Sequence, residues 1–193
     1  MERPITPSLT SSVSSNSVPE SGLAQHYALP LVAGALLAAL HQGWKLHVGL
    51  PGHFGLVWMA GIMLTRQRST VVWAATIAAL GYVGGTAAFS GLAQHGLLQA
   101  PLYALSTLAV DLAWRADSAR ARHLFGAALL GGVAFMLKPL ALYAYSQGVT
   151  FELTALRAGL MLPLLTHFSF GAVGAIIGTL LACAGSPARC THR

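Results

Sequence analysis

The sequence predicts an all-α integral membrane protein, a bundle of six transmembrane helices with both termini in the cytoplasm. Three observations lead there. Only 8% of the 193 residues are charged while 55% are hydrophobic, and covering a water-facing surface usually takes about a quarter charged. Mean hydropathy is +0.64, in apolar runs too long and too numerous for one soluble core. The arginines fall between these runs, in alternate connectors.

Residues 1–22, "MERPITPSLTSSVSSNSVPESG", are rich in Ser and Pro, lack apolar periodicity and read as a disordered tail. The apolar run starts too late for a signal peptide and shows no small-residue cleavage site, so the next segment is expected to stay as a helix. Residues 23–185 form the transmembrane domain, with candidate spans at 24–42, 50–66, 69–90, 94–114, 122–146 and 155–184. A crossing helix needs about 20 mostly apolar residues, each rising about 1.5 Å through a core about 30 Å thick. The second candidate is short and opens with Pro51-Gly52. Residues 186–193 are a short basic tail.

Arg66 and Arg68 lie between spans two and three, and Arg115, Arg120 and Arg122 around the connector of four and five. Arg189 and Arg193 follow span six. Six spans put all of these on one side, which the inside bias of Lys and Arg makes cytoplasmic. The expected location is therefore a multi-pass position in the cell inner membrane. The net charge of +6 is then topological, and no nucleic-acid partner is expected. Cys183 and Cys190 make no disulfide framework or repeated CxxC pair.

Small residues recur at four-residue spacing, as in Gly34 and Ala38, Ala35 and Ala39, Gly81 and Gly85, Gly171 and Ala175, and Gly174 and Gly178. Such pairs let helices approach closely inside a bilayer, and one left on the lipid side could dock a partner's helix.

Ionisable groups within spans point to function. Lys138, in "GGVAFMLKPLALYAY", sits far into span five and precedes Pro139. It could meet an anionic ligand, pair with Glu152 or a freed carbonyl, or snorkel along its stem. Arg157 and His167 belong to span six, Gln99 and Tyr103 to span four, and Tyr143, Tyr145, Gln147 and Glu152 surround the next connector. Together these outward halves have the make-up of a small-molecule pocket, apolar with a few polar groups. Asp111 is expected to pair with Arg115, four residues on along one helix face.

The first connector, "HQGWKLHVGLPGHFGLVWM", gathers Trp44, Lys45, His47 and His53. The two imidazoles could clip a metal, but no third ligand has suitable spacing and no HExxH or CxxC accompanies them. No metal and no cofactor are therefore expected. Trp44, Trp58 and Lys45 suit interfacial trim, whereas the glycines and Pro51 suit a compact turn. A lid over the outward pocket is the reading adopted.

"AGALLAAL" at 33–40, "LPGHFGLVWMAGIMLTR" at 50–66 and "HFSFGAVGAIIGTLLA" at 167–182 resemble segments of the substrate-binding S components of energy-coupling factor transporters. The resemblance extends over about Leu23 to Ala184. It implies a six-helix bundle that captures a vitamin, a vitamin precursor or a transition metal. It further implies partners, namely a transmembrane coupling subunit and ATPase subunits, with Ala35 and Ala39 facing the former. The substrate-binding residues would be Trp44, Lys45, His47, His53, Gln99, Tyr103, Lys138, Tyr143, Glu152, Arg157 and His167. The chain departs from metal-specific members, whose start carries a His near a processed N-terminus, which argues against nickel or cobalt; with Lys138 and Arg157 available, a ligand with a carboxylate or phosphate, flanked by aromatics, is expected.

No enzyme is expected. "GAVGAIIG" at 171–178 is similar to a rhomboid-protease stretch, but Val173 stands where the nucleophile would be. No P-loop is present, so ATP could act only through partners. The alternatives are a non-catalytic small membrane subunit or assembly factor, and a transition-metal uptake component.

Overall fold

The computed structural model describes residues 20–43, 51–90, 96–148 and 159–185, and every regular element among them is helical. These elements are α1 (Glu20–Gly43), α2 (Gly55–Arg68), α3 (Ala74–Ser90), α4 (Gly96–Ala116), α5 (Ser118–Arg122), α6 (Leu124–Gly148) and α7 (Met161–Ala184). The all-α class is as expected. The six long helices fall on the six apolar segments, while α5 is a single turn capped by Asp117, whose side chain accepts from Arg120 N.

Several boundaries differ from expectation. The helix α1 begins at Glu20, inside the segment read as tail. Pro51 to Phe54 form a turn ahead of α2, which shortens that helix to 14 residues, roughly 21 Å at the usual rise. Gly159 adopts a φ of +84°, which is left-handed and blocks an earlier start to α7. Residues 1–19, the segment at 44–50 with Trp44, Lys45 and His47, the segment at 149–158 with Glu152 and Arg157, and the basic tail all lie outside the described residues.

Two helical segments, Leu124–Ser146 and Met161–Ala184, are long and apolar enough to cross a membrane. Only 33% of each window is buried, whereas the core helix of a soluble protein would be mostly covered. Large apolar side chains face outward on the other helices too, including Leu36, Leu80 and Phe89, each 60–62% exposed. The short helix α2 shows the opposite pattern, with Trp58, Met59, Ile62 and Met63 fully buried.

Close packing at small residues sets the neighbours. A Cβ on Gly34 would collide with the carbonyl of Ala78, and one on Gly85 would press on Ala35 and Ala38. The register rises on both helices together, so α1 and α3 run parallel. By the same test α2 and α7 are parallel, because Gly174 meets Leu56 and Gly178 meets Ala60. Gly131 faces Ala175 while Gly171 faces Phe135, which makes α6 and α7 antiparallel. The pairs Thr76–Asp111 and Tyr82–Tyr103 do the same for α3 and α4. Successive long helices thus alternate in direction around a core of Trp58, Met59, Tyr82, Tyr103, Val110 and Phe135.

Alternation brings the arginines to one end. There Arg66 Nε lies 3.2 Å from Asp111 Oδ1, and Arg66 also donates to Val71 O at 3.0 Å. The Nε–H is poorly aligned with the carboxylate, so that contact is electrostatic rather than a hydrogen bond. Asp111 accepts from Ala75 N, Thr76 N and Thr76 Oγ1 as well, serving the first turn of α3. The expected Asp111–Arg115 pair is not formed. Asp111 faces the interior and is fully buried, whereas Arg115 is exposed and lies over the Trp73 ring at 4.9 Å. A buried cross-helix partner outcompetes a neighbour four residues along. Gln67 donates to Thr179 and Arg68 to Leu181 O, tying α2 to the end of α7. Cys183, in the last turn of α7, is disulfide-bonded.

Candidate functional site

The other end of the bundle gathers polar groups among rings. His41, in the last turn of α1, shares a short hydrogen bond between its Nδ1 and the Tyr82 hydroxyl on α3. The Tyr82 ring lies 5.0 Å from that of Tyr103 on α4. Lys138 Nζ on α6 donates to the Tyr103 hydroxyl at 3.0 Å and sits over the Tyr103 ring at 4.1 Å. Four helices therefore contribute to one path of polar groups, His41–Tyr82–Tyr103–Lys138. Such a path can form only because α3 is wedged between α1 and α4, with Gly81 and Gly85 bringing Tyr82 against α1.

Aromatic faces surround this path. Phe54 stacks on His41 with centroids 4.0 Å apart, and Trp58 packs on both Tyr82 and Tyr103 at 4.9 and 4.6 Å. Trp58 Nε1 donates to Ser106, so the indole has no polar atom to spare. Phe135 stacks on His167 at 5.0 Å, and His167 Nδ1 is hydrogen-bonded to Pro163 O. Pro139 has no N–H, which leaves the Phe135 carbonyl without its helical donor one turn below Lys138.

The end of the first connector folds onto the cluster. Gly52 has a φ of +83° and its α-carbon lies against the His167 imidazole, where a Cβ would clash with the ring. Gly55 N closes the turn onto Gly52 O at 2.8 Å. From there Phe54 reaches His41 and Gly55 abuts Phe135. His53, in the same turn, is half-buried.

Of the residues expected in the pocket, Tyr103, Lys138 and His167 are brought together, with His53 in the adjoining turn. Tyr143 is not: it is 41% exposed, and Tyr145 is 50% exposed, so both belong to the outer surface, where phenols suit a membrane interface. The side chain of Gln99 lies outside the described residues, as do Trp44, Lys45, His47, Glu152 and Arg157. Sequence reasoning missed His41, Phe54, Tyr82 and Phe135. Tyr82 carried a usable signal, a phenol between Gly81 and Gly85 in an otherwise apolar helix. Ala35 and Ala39 are half-buried, and the Ala35 backbone faces Gly85, so part of that helix face serves the α1–α3 contact.

The electrostatics are lopsided. No carboxylate pairs with Lys138 among the described residues; its contacts are one phenol and two rings, Tyr103 and, at 6.0 Å, Phe135. An ammonium in such a setting retains two donors and a positive charge that a guest anion would neutralise. No group of three or more metal-ligating side chains occurs among the described residues. No family model, curated protein or solved structure matches the chain.

Proposed function

We propose that this chain is a multi-pass membrane protein that captures a small solute at its outward end, without catalysing a reaction, and passes it to an energising partner. Membrane placement is supported by two helices of spanning length, by outward-facing leucines and phenylalanines on the others, and by arginines gathered at one end. The inside bias of arginine makes that end cytoplasmic and the aromatic cluster outward. A helix as short as α2 is compatible with this placement because its neighbours cover it.

One observation carries the functional reading: an ammonium with no carboxylate partner among the described residues, at the end of a polar path from His41 through Tyr82 and Tyr103 to Lys138. A scaffold would leave its polar groups paired off separately. Here they converge, and flat rings flank them. The chemistry suits a solute with a carboxylate or phosphate for Lys138 and a planar or apolar body for Phe54, Trp58 and Phe135. The turn at 51–54 would hold the guest from above, by shifting off His41 and His167.

On this reading the chain works as the S component of an energy-coupling factor transporter, with Ala35 and Ala39 docking a transmembrane coupling subunit and ATPase subunits supplying energy. Vitamins and their precursors are the solute class. Native mass spectrometry of gently purified protein tests it: a small anionic molecule should co-purify with the wild type. Lys138→Met should lose it, with affinity down by about thirtyfold or more, the usual result of removing one partner of a buried charge contact. A clean apo spectrum together with normal assembly into a larger complex would favour a non-catalytic membrane subunit instead.

A further inference from the structure

The arginine end encloses a cavity of about 750 Å³ between the ends of α2, α7 and the α5–α6 corner. Its lining includes Arg66, Arg68, Arg122 and His123, and no carboxylate among the described residues. Asp111 neutralises Arg66 from behind. Among the described residues Arg68 and Arg122 have no such counter-charge. Arg122 rests on the Trp114 ring at 5.6 Å, and Arg68 makes one long hydrogen bond, 3.5 Å to Leu181 O, while its buried Nε donates to nothing. Two guanidiniums with spare donors on one hollow are a receptor for a phosphate-type anion.

The walls say which anion. Leu124 and Leu180 line the cavity and are also 46% and 50% exposed on the outer surface, beside the exposed Phe125 and Leu181. The charged hollow therefore opens onto the apolar flank of the bundle. A free phosphate has no use for that flank, whereas an anionic phospholipid would rest its acyl chains there and its headgroup on the arginines. The segment 186–193 contains no Asp or Glu. We infer that this cavity is a binding site for the headgroup of an anionic phospholipid of the inner leaflet. The site is at the opposite end from the solute cluster and shares with it only the placement in a membrane.

The test uses full-length protein in mild detergent, with thermal unfolding and native mass spectrometry as readouts. Phosphatidylglycerol should raise the unfolding midpoint by about 4 °C at saturating amounts, and phosphatidylcholine should not. A one-to-one phosphatidylglycerol adduct should survive in the mass spectrum. The double variant Arg68→Gln/Arg122→Gln should lose both effects. Arg120→Gln removes a charge outside the cavity, where the arginine is exposed and paired with Asp117, and should keep them. Equal responses to the two lipids, or an unchanged response in the double variant, would overturn the assignment. A full response to inorganic phosphate alone would overturn the lipid in favour of a small-anion site. If the double variant fails to fold, Arg68→Lys/Arg122→Lys keeps the charge but not the fork, and an undiminished response there would also reject the site.

Discussion

The two ends of the bundle treat a buried cation differently. At the arginine end, Arg66 meets Asp111, the Val71 carbonyl and, at 5.1 Å, the Trp114 ring, while Asp111 also caps α3. At the other end, Lys138 meets a phenol and two rings. A buried ion pair joins helices, and removing half of it strands the other half. An under-partnered cation contributes little to the fold, and its remaining donors are available to a guest. On the proposed reading, the contrast separates a structural charge from a functional one without recourse to sequence likeness.

Four substitutions break or sharpen that contrast. The largest effect is expected from Asp111→Ala, which leaves Arg66 buried without its anion and uncaps α3. It should destabilise by about 3–5 kcal/mol, read as a lowered unfolding midpoint or lost expression. Gly34→Val comes next, since its side chain would meet the α3 backbone at Ala78. A loss of about 1–3 kcal/mol, with α1–α3 cross-linking reduced, is the usual scale for overpacking. Tyr82→Phe removes the hydroxyl between His41 and Tyr103 and should cost about 1 kcal/mol of stability together with part of the solute affinity. Lys138→Met should alter stability by less than about 1 kcal/mol, in either direction, while abolishing solute binding. A loss of fold as large as that of Asp111→Ala would make Lys138 structural and erase the contrast.

Orientation has its own check at Cys183. With the arginine end in the cytosol, its disulfide should be open in living cells, where thiols are kept reduced, and close only after lysis. A membrane-permeant maleimide should then label Cys183 in intact cells and an impermeant one should not. No labelling by the permeant reagent in intact cells, with labelling by the impermeant one only after an external reductant is added, would turn the bundle over.

Much of this molecule could be read before any tertiary structure. Helical class followed from the apolar runs, and the common end of Arg66, Arg68, Arg115 and Arg122 followed from their alternation between runs. Lys138 and His167 stood out because ionisable groups are costly in apolar helices. Asp111 was read correctly as a structural group but assigned the wrong partner, because spacing along one helix reveals only local neighbours. Tyr143 lay close to Lys138 in the chain, yet the helix turns it outward.

What the sequence by itself determined, then, was one-dimensional: which stretches are helical and which ends share a side. Those properties arise from hydropathy and charge along the chain, which each residue carries regardless of its neighbours in space. Only the tertiary structure decided that α1 lies beside α3 and α2 beside α7, and hence that His41, Tyr82, Tyr103 and Lys138 meet. Small residues occur on several faces and permit many helix pairings. Selecting one takes the collisions and fits of whole surfaces, which exist only once the helices are packed.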